Sequence, residues 1–313
     1  MLADQVAYVA LVSQDPAVAA AVLERHFRLR RRDLASPAGP VPVFPLGRSA
    51  LAVFPPGHPL LEGEARPGVH GIALAVDDLD AGVARAAAAG VPATDTKPST
   101  GLDGRRVRRL APDATVGVRV SLTERLDLPL GGAGGAVQRI DHVGVASTDV
   151  TEDEAVFCER LGFRVESRQT DMEVSIAVES FTSDRYGVVY HSRPPEPVGG
   201  LRVLFVTIGD CELEFLANFD PRQSGEVRRG TAGTTRQDQG AIARFVATRG
   251  RGLHHLAVKT RDVDAVLGSM AAAGLPMIDT RGRPGSRRAL IGFPHPRALG
   301  GILVHLVQRP DPS

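Results

Sequence analysis

Only two residues of the 313 are cysteine, Cys158 and Cys211, which rules out a disulfide framework and a thiolate metal site; both are expected as packed thiols. Charge of one sign is not in excess either. Lys and Arg number 37 against 36 Asp and Glu, so the net charge is +1 and no global field recruits nucleic acid or a membrane surface. Long hydrophobic runs are missing as well. The opening MLADQVAYVALVSQDP has no basic segment ahead of its apolar residues and is interrupted by Asp15 and Pro16, which reads as neither a signal peptide nor a membrane span. What these absences leave is an expected cytoplasmic globular protein, long enough for two domains of about 150 residues.

What the chain does contain is an internal repeat. GVHGIALAVDDLDAGVARAAAAGVPATDT, starting at Gly68, lies over GLHHLAVKTRDVDAVLGSMAAAGLPMIDT, starting at Gly252, without a gap and with nearly half the positions identical. VAYVALVSQD from Val6 matches IDHVGVASTD from Ile140, SALAVFPPGHP from Ser49 matches CELEFLANFDP from Cys211, and VGVRVSL from Val116 matches ILVHLVQ from Ile302. The order is the same in both halves, so they are copies of one unit. LGGAGGAV at 130–137 breaks the composition between them, predicting domains over 1–130 and 138–313 with a glycine-rich linker at 131–137.

Period-two runs of Val, Ile and Leu predict strands over 140–146, 164–169, 201–208, 211–217, 253–260, 276–279, 288–293 and 301–308. Helices are predicted over 151–161, 239–248 and 262–273, the last capped by Asp262. Each half is thus a doubled strand–helix–strands module. Two such modules enclose a cleft into which inward side chains converge.

Four polar side chains stand in these apolar strands: His142 in IDHV, Glu214 in CELEF, His255 in LHHL and His305 in LVHL. Alternate residues of a strand share a face, so each points to one side while its apolar neighbours pack on the other. An ionised Glu214 buried among Leu and Phe needs a cation or a proton. Three imidazoles and one carboxylate suit a divalent ion such as Zn, Co, Ni, Mn or Fe, and the lack of thiolates argues against a closed structural zinc site. A lone histidine in a strand is ordinarily a satisfied core residue. Four polar groups at corresponding positions of one doubled module are less easily explained that way. The first half carries Tyr8, Ala52, Gly71 and Arg119 at the matching positions, which is no ligand set, and its His70 matches His254.

On IDHVGVAS, GDCELEFLAN, GLHHLAVKTRDVDAV and IGFPHPRALGGILVHLVQ, the second half resembles the vicinal oxygen chelate superfamily, closest to its methylmalonyl-CoA epimerase branch. The resemblance covers 140–308. It implies an α+β fold of tandem domains, each built from paired βαβββ modules whose curved mixed sheets surround a cleft. It also implies that His142, Glu214, His255 and His305 hold a divalent metal, with His305 standing where the family has Glu. The activity implied is that of a metal-dependent isomerase or epimerase acting through the enolate of a carbonyl substrate such as an acyl-CoA. An Fe(II) dioxygenase of the 4-hydroxyphenylpyruvate or ring-cleaving type, a glyoxalase-type lyase and a non-enzymatic ligand-binding protein stay open as alternatives.

Epimerases of this kind place a catalytic carboxylate near the position of Val203, where this chain is apolar. Glu212, His254, His191 and Tyr190 are the candidates for acid–base work instead, His254 being expected to face away from its neighbour His255 on the strand. The segment 172–200 is expected to lie across the cleft as a lid. Arg222, Arg228, Arg229, Arg236, Arg244, Arg249 and Arg251, together with RGRPGSRR at 281–288, are candidates to clamp a phosphate or carboxylate. The expected partner is a small molecule, with neither nucleic acid nor membrane, and the expected state is a monomer or homodimer.

Overall fold

The computed structural model describes residues 1–61, 66–132, 134–175, 178–192, 194, 196–219 and 240–310. Each half folds as one curled eight-stranded mixed sheet with helices against its outer face. At the centre of the second sheet, Val137–Ser147 runs antiparallel to Gly252–Thr260. Cys211–Phe219 and Val304–Gln308 flank that pair in parallel. The remaining strands extend outward on either side, Glu196–Ile208 and Arg164–Ser175 at one edge, Leu290–Gly292 and Arg283–Pro284 at the other. The first sheet repeats this order about Val6–Val12 and Gly68–Val76. The four candidate strands are therefore contiguous.

Local chemistry fixes the crossovers. Asp15, Asp78, Asp149 and Asp262 each accept a backbone N–H from the first turn of the helix that follows a central strand. The repeat thus reappears as four equivalent caps. The helix predicted over 151–161 begins as Val150–Glu154 and widens into a π turn at Ala155–Arg160. The strand predicted over 276–279 shrinks to one bridge between Met277 and Pro294, where Pro276 has no N–H to give to a ladder. Gly131 of the predicted linker exchanges two backbone hydrogen bonds with Gly47, pinning it to the first half.

The main apolar core runs through both halves between the sheets and their helices. The hollows of the two sheets differ. In the first, Tyr8, Ala52, Phe54 and Ala73 pack with Leu60, Leu61, Leu126 and Leu128, leaving a cavity of about 30 Å³. In the second, the apolar lining divides into two separate clusters with a cavity of about 310 Å³ between them. That volume lies in the range of small-molecule sites, roughly 300 Å³ and upward.

Candidate metal centre

His142, Glu214, His255 and His305 all line this larger cavity, and all four are buried. Sheet register brings them together: Gly144 pairs with both Glu214 and His255, and Ala257 pairs with both His142 and His305. Glu214 Oε2 stands 3.3 Å from His142 Nε2 and 3.3 Å from His255 Nε2, and the two nitrogens are 3.5 Å apart. Atoms held about 2.0–2.1 Å from one ion at tetrahedral angles stand about 3.3–3.4 Å from each other, so this triangle fits a common ion. His305 is the outlying member. Its ligand atom lies within 4.8 Å of those of His142 and His255. Both its ring nitrogens are buried without a hydrogen-bond partner among the described residues. A buried imidazole with two orphaned nitrogens is costly unless something binds it. The donor set therefore fits a divalent ion.

The imidazoles are held from behind. His142 Nδ1 donates to Asp141 at 2.9 Å, which turns Nε2 toward the cluster. Asp141 is fully buried, and Arg309, Arg287 and Arg139 approach it at 3.2, 3.4 and 3.8 Å. Burial pushes its carboxyl up, but His142 and the guanidiniums outweigh that and hold it well below the usual range. His255 Nδ1 meets His254 Nδ1 at 3.0 Å, a hydrogen bond in which one ring donates. The structure corrects the expectation that His254 faces away: a bulge between Leu253 and His255 turns both rings toward the cavity, and His254 also lies edge-on to Phe245. Burial and neighbouring His255 lower His254 to about 3, so it stays neutral.

Without an ion, protonation of the cluster is uneven. Burial opposes charge on His142, but Glu214 and Asp141 raise it to about 9. Burial lowers His255, and it lowers His305 much further. Glu214 is held well below its usual value against burial, by His142 and His255.

The other expected acid–base residues are dispersed. Glu212 pairs through its carboxylate with Arg287 at 2.8 Å and does not line the cavity. Tyr190 and His191 stand on an exposed ribbon of Val178–Ser183 and Gly187–Ser192, also off the cavity wall. That ribbon lies inside the segment expected as a lid, whose ends at 172–175 and 196–200 belong instead to the strands Arg164–Ser175 and Glu196–Ile208. Arg222, Arg228, Arg229 and Arg236 fall outside the described residues.

Two residues of the site, Gly144 and Asp171, had no assigned role in the sequence reading, and Arg287 entered it only as part of RGRPGSRR. Gly144 lies against the flat ring of His255. Asp171 lines the cavity from Arg164–Ser175, paired with Leu201 and two register steps from the Gln169–Val203 pair. Burial raises its carboxyl, helped by the charge of Glu214. Arg287 lies in left-handed backbone, φ 52°, with its guanidinium 3.7 Å above the Phe205 ring. Its first-half counterpart, Asp103, has the same φ of 52°, so the backbone turn is inherited and the side chain is new.

Residues 141–293 match the family model described as the Glyoxalase/Bleomycin resistance protein/Dioxygenase superfamily. By that match the second half belongs to the vicinal oxygen chelate superfamily. Among curated proteins, the mitochondrial methylmalonyl-CoA epimerase of Mus musculus is 24% identical over 131 residues, 41% of this chain and 64% of the relative. The chain thus spans less than two thirds of that relative's length. Among solved structures, a mutant of 4-hydroxymandelate synthase from Streptomyces coelicolor superposes with a TM-score of 0.59 at 19% identity, covering 99% of this chain and 93% of that one. This likeness shows the tandem fold. Methylmalonyl-CoA epimerase from Mycobacterium tuberculosis aligns with 56% of this chain and 91% of its own, at 21% identity and a TM-score of 0.37.

Proposed function

We propose that the protein is a divalent-metal-dependent isomerase or epimerase that enolises a carbonyl substrate, with an acyl thioester as the substrate class. One observation carries the reading: the cluster of His142, Glu214, His255 and His305 shares a single cavity with a carboxylate, Asp171, that has no ion-pair partner among the described residues. A divalent ion held by those four residues would supply Lewis acidity to a carbonyl oxygen. Asp171 then takes the proton from the carbon next to that carbonyl; the C–H pair becomes the new C=C bond, and the carbonyl π pair moves onto oxygen. A carboxyl whose affinity for protons is raised by burial is a better base than an exposed one. Return of the proton by the same group to the same face gives exchange, and inversion requires that a second donor deliver it to the opposite face of the enolate. Leu201, Leu216, Ile242 and Ile291 wall the cavity and keep water from the reacting carbon.

Deuterium uptake from D₂O into the α-carbon of an acyl thioester, followed by mass spectrometry on metal-loaded protein, tests this. Wild type should exchange and Asp171→Asn should lose most of that rate, about a hundredfold or more for a general base, while keeping its metal. Undiminished exchange in Asp171→Asn would remove it as the base, and absence of exchange in wild type across acyl thioesters would sink the reading. A second reading has one observation in its favour, the full-length superposition on 4-hydroxymandelate synthase. Iron in the purified protein, with substrate-dependent oxygen uptake, would favour that oxygenase reading.

A further inference from the structure

The two halves meet along equivalent strands. Gly68–Val76 of the first approaches Gly252–Thr260 of the second, and the backbones come so close that a side chain on Gly117 would strike the Arg251 carbonyl. Beside this contact lies a groove of about 220 Å³, separate from the metal cavity. Arg66 and Arg119 enter it from the first half, and Arg249 and Arg251 from the second. Among the described residues, none that lines it is acidic. In a chain whose net charge is only +1, four guanidiniums around one small groove are a local concentration of positive charge.

Among the described residues, Arg251, Arg249 and Arg119 are only partly neutralised. Arg251 is bound by Glu152 at 2.6 Å and Asp153 at 2.8 Å, yet its Nε is buried without a partner among the described residues. Arg249 donates to the Pro67 carbonyl of the other half at 3.2 Å and lies over Phe245. Arg119 is half-buried and makes no ion pair among the described residues. Beside it, the buried His70 has an Nε2 without a hydrogen-bond partner among the described residues. The carboxyl end of the helix Ala241–Arg249 opposes an anion here, but it supplies only about half a charge against several whole ones.

That helix connects the groove to the cavity. Ala241 and Ile242 line the metal cavity, whereas Phe245, Thr248 and Arg249 line the groove. From 242 to 248 the helix advances about 9 Å at its ordinary rise per residue. We propose that the groove between the halves binds the phosphate groups of the substrate, whose reactive carbonyl lies about 10 Å away in the metal cavity. The ligand is an elongated phosphoester with an acyl group at its far end. For the identity of that acyl group the proposal rests on the enolisation reading; for the phosphates it rests on the groove alone.

The experiment compares coenzyme A with pantetheine, the same arm without its phosphates and adenosine, by calorimetry on metal-loaded protein, with unphosphorylated adenosine added as the control for nucleoside binding. Wild type should bind coenzyme A at least about tenfold more tightly, as expected for charge-assisted Arg–phosphate bonds. In Arg119→Ala/Arg249→Ala that preference should collapse toward one, and in Arg119→Lys/Arg249→Lys it should be partly retained. Equal binding of the two probes by wild type overturns the proposal, as does a preference undiminished in the alanine pair. The wild-type comparison stands even if a variant fails to fold. Exchange of deuterium into acyl-pantetheine reads the cavity chemistry without phosphates, so its failure would count against enolisation and leave the groove result intact.

Discussion

A β-carbon built on Gly144 would lie 2.0 Å from Cε1 of His255 and 2.3 Å from its Nδ1. The histidine ring occupies the space that any other residue at 144 would fill. Because the two residues are direct cross-strand partners, neither can move without disturbing the centre of the sheet. Gly144→Ala should therefore displace the ring while the surrounding sheet holds, at a cost of about 1–3 kcal/mol for overpacking. Metal analysis of purified Gly144→Ala should show a clear fall in bound metal relative to wild type. Full occupancy would mean that the ring position does not matter for binding.

Asp141→Asn keeps the shape of the side chain but removes the charge behind His142. It also leaves Arg287, Arg309 and Arg139 facing a neutral group. Metal affinity should fall about 10–100-fold, as for other carboxylates that orient a ligating histidine. Thermal unfolding should also come earlier, since removing one partner of a buried ion pair costs about 3–5 kcal/mol. Competition against a chromogenic chelator measures the first effect and calorimetry the second. An unchanged affinity would show that His142 needs no such support.

The triangle of Glu214, His142 and His255 is tighter than any that includes His305. Glu214→Gln should therefore lose more metal affinity than His305→Ala. His305→Glu should keep metal, with altered activity. If His305→Ala changes nothing, His305 is not a ligand.

Protons compete with metal at this site. His142 in metal-free protein titrates at about 9, so below that pH an ion must displace its proton. Affinity should rise about tenfold per pH unit up to roughly pH 9 and then level off. Calorimetry in buffers of different ionisation enthalpy should find about one proton released per ion at pH 7.5. The sign for folding is the reverse. A raised folded-state value stabilises metal-free protein fully below the unfolded value of about 6.5, and that stability is lost as pH rises through 9. The melting temperature of metal-free protein should thus drop between pH 7 and 9, and a flat profile there would contradict the His142–Glu214 pairing.

The central strands were legible because their residues alternate without interruption and the repeat shows each of them twice. His142, Glu214, His255 and His305 stood out as polar residues in apolar strands. Asp171 was missed because the alternation fades after 169, while the strand continues to Ser175 by pairing with Glu196–Ile208. Asp141 and Glu212 were ambiguous for another reason. Nothing in the order of residues shows that Arg287, more than seventy positions away from either, folds back through a left-handed turn to meet both. His254 was assigned to the wrong face because a bulge changes the parity of a strand, and bulges leave little trace in a hydrophobic pattern.

In the first half, the partner of Gly71 is Ala10, where the second half pairs His255 with Gly144. The two positions have exchanged bulk. A side chain added at 71 would first meet the Arg119 carbonyl at 3.3 Å, and a ring lying across the strand as that of His255 does would also need glycine in place of Ala10. The filled hollow would still have to be emptied. The two copies thus differ in how their hollows are packed as well as in the residues at the four matching positions, so exchanging those four alone would not open a site in the first half.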